Sequence, residues 1–369
     1  MLEIVQLTSI ADAIGAAFEM HTREDLLVNL DRQLYLLPRR EEPFDVGCNP
    51  GQYTDDTQMT IAMARHLRRV KIDGYSTFSF ERFIQDCLDV YDEDELEHGI
   101  PRGGHGGFVN VATFKGDRIA KQREFNSHKQ DVGNGSGMRL NPFIVSDLTG
   151  EQLTEYIIGS TISTHNYMMA VIGNLVVVNV LQSLYNNSIN ARDVITHSLK
   201  WLNGDDLKST TIFPNLATCK QVCMMVMTDF HIFGNFDETV DIYKEYLSRI
   251  DQLSDCNDDL TNIDHLTITE QHAKPCVKLG GSGLPARAKP TIGWFLYLLK
   301  NLHSCESTLS IIRRCLLIGG DTDTLAVYTF PISYIVFNRV HNKCEKLPVY
   351  IMEQLTETNM DLLKRRIGI

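Results

Sequence analysis

Eight segments of the chain place apolar residues at helical spacing. In 57–70 (TQMTIAMARHLRRV), Met59, Ala62, Met63 and Leu67 fall near one face, with Arg65, Arg68 and Arg69 elsewhere. That is the pattern of a helix with one buried side. Segments 80–91, 151–160, 167–185, 191–202, 236–250, 291–302 and 307–318 read the same way. No series of alternating runs bounded by hairpin turns appears. The pattern predicts an all-α fold. The most apolar stretch, 168–181, contains Asn174 and Asn179 and is short for a bilayer, so a buried helix is expected there.

Glycine interrupts the helical pattern at 99–107 (GIPRGGHGG), 133–137 (GNGSG), 280–283 (GGSG) and 319–320. Such runs allow backbone to approach a ligand closely, and they also serve as plain linkers between helices. Two acidic runs, 89–97 and 251–259, read as solvated surface. No internal repeat and no Pro/Ser-rich linker divides the chain, so one domain over residues 1–369 is expected.

Composition adds limits. The chain has 369 residues, 43% hydrophobic and 22% charged, enough for a substantial core. Its formal charge of −12 argues against a general grip on nucleic acid or anionic membrane. The nine cysteines are scattered, without CxxC pairs or zinc spacing, as in a reducing compartment. The N-terminus lacks a basic n-region and carries Glu3 and Asp12, which makes a poor signal peptide. A cytoplasmic or nuclear monomer is expected.

The chemistry concentrates in 51–57 (GQYTDDT) and 319–324 (GGDTDT). Each packs two carboxylates and two hydroxyls at the apparent start of an apolar helix. Adjacent carboxylates repel unless a cation or hydrogen-bond donors stabilise them. Hard divalent cations such as Mg²⁺ take such oxygens. Helix N-capping explains either cluster alone. Two such clusters, each beside glycine, favour one shared metal centre.

At this point the chain resembles the ADP-ribosylglycohydrolase family. Ala11-Asp12-Ala13-Ile14-Gly15 is similar to the family's GDAxG start, with Ala11 in place of glycine, and Glu19 follows at its acidic position. GQYTDDT and GGDTDT resemble its two metal motifs. Segment 133–139 (GNGSGMR) resembles its GNGxxMR loop, and Thr164-His165 its TH helix start. Segment 280–292 (GGSGLPARAKPTI) resembles the part lining the adenosine side in the serine-hydrolase branch.

The resemblance implies an orthogonal helix bundle with two Mg²⁺ (or Mn²⁺) ions on Thr54, Asp55, Asp56, Asp321, Asp323 and Thr324. It implies that Gly133, Asn134, Gly135 and Ser136 cradle diphosphate and distal ribose, with Met138 beside them and His165 on the same ribose. Gly281 and Ser282 fall on the adenosine side. Arg139 either meets the phosphate or pairs with an acidic neighbour. The implied reaction is hydrolysis of an α-linked ADP-ribose from a serine or arginine side chain, or from a related conjugate. Asp56 or Asp321 would steer the water, and Glu19 would engage the 2-hydroxyl, aid the leaving group or gate the site. ADP-ribosylated proteins are the implied partners. A non-catalytic ADP-ribose binder or crystallin-like relative and another metal hydrolase, such as a phosphatase, are the competing readings. The bulky segment 325–337, with Pro331 inside it, departs from the family's small-residue helix and puts local packing in question.

Overall fold

The computed structural model describes residues 1–38, 49–98, 102, 108–128, 133–205, 213–270 and 283–369. Among these, the chain forms seventeen α-helices, three short 3₁₀ turns and no strands. The helices are α1 (Leu2–Ala16), α2 (Arg23–Tyr35), α3 (Asp55–Asp73), α4 (Phe80–His98), α5 (Phe108–Ala112), α6 (Arg118–His128), α7 (Gly150–Ile162), α8 (Met168–Tyr185) and α9 (Val194–Leu202). They continue with α10 (Leu216–Val226), α11 (Phe236–Asp251), α12 (His265–Thr269), α13 (Ala288–Lys300), α14 (Thr308–Leu316), α15 (Thr322–His341), α16 (Val349–Met352) and α17 (Met360–Ile367). The fold is all-α, as the periodicity predicts. Each of the eight periodic segments overlaps one of these helices, with ends displaced by a few residues.

One apolar cluster runs from Ile4 to Ile367. Its spine is α1 against α15, the most extensive helix pair, flanked by α3 and α14. Helix α8 is long and apolar enough to cross a membrane by length and composition, but 89% of it is buried inside the bundle. Its Asn174 and Asn179 are buried among protein partners there.

Pro331 does not break α15. Proline lacks an N–H, so the carbonyl of Val327 loses its partner four residues on. The Asn141 side-chain amide fills that place, donating to Val327 O at 2.7 Å. It is itself tied to Thr8 Oγ1 of α1. The question raised by Pro331 is thus answered by a polar side chain from almost 200 residues away in sequence.

The acidic runs are not simply solvated. Asp94 is buried between Arg102 and Arg366, and accepts from Gln58 Nε2 at 2.9 Å. Asp92 pairs with Arg118, and Asp258 and Asp259 pair with Arg314 and Arg313. Asp94 departs from the surface reading, while Asp92, Asp258 and Asp259 remain partly exposed and pair with their arginines at the surface.

Candidate active site

The first acidic cluster sits where α3 begins. Thr54 is its N-cap. Asp12, buried in α1, holds this turn from outside. It accepts from Thr54 N at 2.9 Å, Thr54 Oγ1 at 2.7 Å and Thr57 N at 2.9 Å. Burial and the charge of Asp323 push its carboxyl up to about 6, against the pull of those donors. Asp55 is partly exposed and Asp56 is buried beside it.

The second cluster is fastened on two sides. Gly320 exchanges backbone bonds with the turn after α1: Met20 N donates to Gly320 O at 2.7 Å, and Gly320 N to His21 O at 2.9 Å. On the other side, Leu284 N donates to Gly319 O and Asp321 N to Leu284 O, at 2.9 and 3.0 Å. Both glycines have positive φ, and a Cβ on Gly320 would lie 2.3 Å from Leu284 O. The double glycine is therefore required by conformation and by space. This seam brings Glu19 to the second motif. The carboxylates of Glu19, Asp321 and Asp323 offer oxygens that all lie within 4.8 Å of one another.

Gly15 lets α1 lie directly against the second motif. A Cβ there would sit 2.5 Å from Asp323 Cα, and its carbonyl accepts from Thr322 Oγ1 at 3.0 Å. Ala11, where the family pattern has glycine, lies buried in mid-helix and leaves that approach untouched.

This acidic centre fits a hard cation. Asp56 Oδ1 is buried without a hydrogen-bond partner. Burial raises the Asp56 carboxyl well above its usual range, and the charges that add most to this are Asp323, Asp12, Asp55 and Asp321. Converging carboxylate oxygens, one of them orphaned, are the donor type that a hard divalent cation takes. Thr324 is buried in the first turn of α15.

The glycine loop lies alongside. The Asn134 side chain is not turned outward to a ligand. Its Nδ2 donates to Asp321 Oδ2 at 2.7 Å and to Thr291 Oγ1 at 2.9 Å. Ser136 is buried, and its Oγ accepts from Asn174 Nδ2 at 3.0 Å. Met138 is buried, and its carbonyl accepts from Thr60. Gly133 and Gly135 are less enclosed. Gly135 faces His165, whose Nε2 would lie 3.3 Å from a Cβ at that position.

Arg139 meets neither expectation. It is wholly buried, donating to Ser160 O at 2.6 Å and Thr164 Oγ1 at 2.5 Å, with Phe83 under its guanidinium. Burial lowers its pKa to about 10, so it keeps its charge at neutral pH. Gly281 and Ser282 lie outside the described residues, as does nearly all of the 99–107 glycine stretch.

The family model described as ADP-ribosylglycohydrolase matches residues 5–329, a span containing both acidic clusters and the glycine loop. The chain belongs to the ADP-ribosylglycohydrolase family. It is 25% identical over 339 residues to "ADP-ribosylhydrolase ARH3" of Xenopus tropicalis, covering 88% of this chain and 83% of that protein. A solved structure described as "ADP-ribosylglycohydrolase-related protein complex" shares the fold, with a TM-score of 0.50 at 16% identity over 99% of this chain and 95% of that one.

Within this ADP-ribosylglycohydrolase chain, sequence reasoning left Asp12 and Asn141 without roles. Asp12 gave a signal, an acid among the apolar residues in the middle of helix 2–16, but its target is 42 residues away and invisible without the fold. Asn141 gave none.

Proposed function

We propose that this protein hydrolyses the α-glycosidic bond joining ADP-ribose to a protein side chain, with serine-linked conjugates as first choice and arginine-linked ones second. The observation that carries the reading is the convergence of Glu19, Asp56, Asp321 and Asp323 beside the loop of Gly133, Asn134, Gly135 and Ser136. Membership of the family and the named activity of the 25% identical relative support it.

Two Mg²⁺ ions, held by Thr54, Asp55, Asp56, Asp321, Asp323 and Thr324, would supply charge stabilisation at the distal ribose. The protein's own groups do the rest. The glycine loop orients the diphosphate through backbone N–H groups, as a turn of this composition can. Asn134 holds the Asp321 carboxylate in one orientation. Asp56, whose buried Oδ1 makes no hydrogen bond within the protein, is placed to steer or deprotonate the attacking water. Glu19 stands over the second motif, where it can engage the 2-hydroxyl or the departing group.

The test is a panel of Ser-, Arg- and Glu-linked ADP-ribosyl peptides with Mg²⁺. Release of free ADP-ribose is expected, lost with EDTA, restored by Mg²⁺ and abolished in Asp55→Asn. Release of AMP instead would replace the reading with a pyrophosphatase. Binding without release would leave an ADP-ribose binder.

A further inference from the structure

The turn 54–57 carries Thr54, Asp55 and Asp56, and Asp12 holds it from α1. A second set of groups holds its flanks. Asp94 of α4 accepts from Tyr53 Oη at 3.2 Å and from Gln58 Nε2 at 2.9 Å, the residues immediately before and after the turn. Arg102, from the 99–107 glycine stretch, is wholly buried and lies over the Tyr53 ring, 3.9 Å from its centroid. Its Nη1 donates to Tyr53 O at 2.9 Å, and its Nε faces Asp94 at 3.3 Å. The Tyr53 carbonyl belongs to the peptide bond that leads into Thr54, so a cation fixed on it sets the entry to the turn.

Glu357 ties this arrangement to the far end of the chain. One of its carboxylate oxygens accepts from Arg102 Nη1 and the other from Gln52 Nε2 at 2.9 Å. The backbones meet as well: Thr356 N donates to Gly51 O at 3.1 Å. A Cβ on Gly51, whose φ is +81°, would stand 1.8 Å from Gln354 O. Segment 354–357 is thus packed directly on 51–53. Arg366 of α17 adds a second cation, 2.7 Å from Asp94 Oδ1. Glu357 and Arg366 lie beyond residue 329, where the match to the family model ends. Buried ion pairs are weak sources of stability, because desolvation offsets much of their attraction. The consequence of this network is one geometry for Gln52, Tyr53 and Gln58.

We propose that Glu357, acting through Arg102 and Gln52, is a positioning residue for the first acidic motif, so that cation affinity at Asp55 and Asp56 depends on the C-terminal segment 354–366. The inference rests on the metal-centre reading given above. It gives a role to Arg102 of the glycine stretch and to a part of the chain outside the family match. Glu357 acts at a distance: it orients Gln52 and, through Arg102, Tyr53, and the turn that follows presents the carboxylates.

The experiment measures the Mn²⁺ affinity of the full chain by electron paramagnetic resonance of the free ion, alongside the melting temperature in EDTA. Glu357→Gln keeps the size of the side chain but offers one acceptor oxygen to two donors. It should weaken Mn²⁺ binding about tenfold, the lower end of the effect of groups that support metal ligands. Gln52→Ala cuts the less buried arm and leaves the Arg102–Glu357 pair in place. It should weaken binding about threefold, the scale of a weak hydrogen bond. A role confined to stability would lower the melting temperature in EDTA and leave the affinity of the folded protein as it was. Unchanged Mn²⁺ affinity in either variant would therefore overturn the proposal, whatever the melting temperature does. If Glu357→Gln fails to fold, Gln52→Ala decides alone by the same criterion. Absence of Mn²⁺ binding by the unsubstituted protein would strike the metal-centre reading itself, and this proposal with it.

Discussion

The side-chain amide of Asn134 donates to Asp321 Oδ2 at 2.7 Å, joining the glycine loop to the second acidic motif. A ligand carboxylate held this way has one orientation, and groups that hold metal ligands affect binding nearly as strongly as the ligands. Asn134→Ala should lower metal affinity and ADP-ribose release by about 10- to 100-fold while the helix content measured by circular dichroism stays unchanged. Unchanged turnover would show that Asp321 does not need this support.

Asp56 gives a prediction with opposite signs in two states. Burial and four neighbouring carboxylates raise its proton affinity, so its ionised form opposes folding when no cation is present. Asp56→Asn should therefore raise the melting temperature in EDTA. The same change removes a ligand, so the rise on adding MgCl₂, expected for the unsubstituted protein by linkage, should shrink or vanish. Scanning fluorimetry at several MgCl₂ concentrations reads both effects. A variant that keeps the full Mg²⁺-dependent rise would remove Asp56 from the metal site.

Gly15→Ala tests how α1 is held against the second motif. The new methyl would stand 2.5 Å from Asp323 Cα, which belongs to helix backbone and has no flexible end to yield. Overpacking of this kind costs about 1–3 kcal/mol. Urea unfolding should show a loss of that size, accompanied by weaker metal binding because the strain falls on Asp323. A fully stable variant would mean that α1 and α15 slide apart freely.

The helices and both acidic motifs were legible because their signals are local. Apolar spacing marks α3, α8 and α11, and Asp55-Asp56 and Asp321-Asp323 announce themselves within a few residues. What could not be read depends on partners far along the chain. Asp94 stands in a run of acids that resembles solvated surface, and only the fold brings Arg102 and Arg366 to it. Asn134 lies in a loop that reads as ligand-facing throughout, yet its side chain turns inward to Asp321. Arg139 belongs to the same motif and turns into the core. A motif shows which residue types occur together, and the direction of each side chain is set by packing.

Asn141 and Pro331 form a pair for a double-mutant cycle. Asn141→Ala should leave the Val327 carbonyl unsatisfied in the core, a loss of about 1–3 kcal/mol. Pro331→Ala supplies an N–H that can bond to Val327 O within the helix. With both changes, the loss should be smaller than for Asn141→Ala alone. Denaturant unfolding of the four proteins gives the coupling. Additive effects would show that Asn141 does not substitute for the bond proline removes.

The last prediction concerns acid stability and rests on His197. This imidazole of α9 is buried, with Nε2 3.2 Å from Asn179 Oδ1 of α8. Burial, and secondarily the charge of Lys200, lower its pKa to about 4. In the unfolded chain it titrates near 6.5. Between those values the unfolded state holds a proton that the native state refuses, so stability falls as the pH drops. The contribution is fully present above the unfolded value and is lost progressively toward 4. The acidic centre pulls the other way, since Asp12 and Asp56 take up protons more readily when folded. The comparison must therefore be made against His197→Gln, which keeps a polar side chain and cannot ionise. Between pH 7.5 and 5, the unsubstituted protein should lose about 1–2 kcal/mol more than the variant. Parallel stability curves would mean that His197 reaches solvent or a counter-charge when protonated.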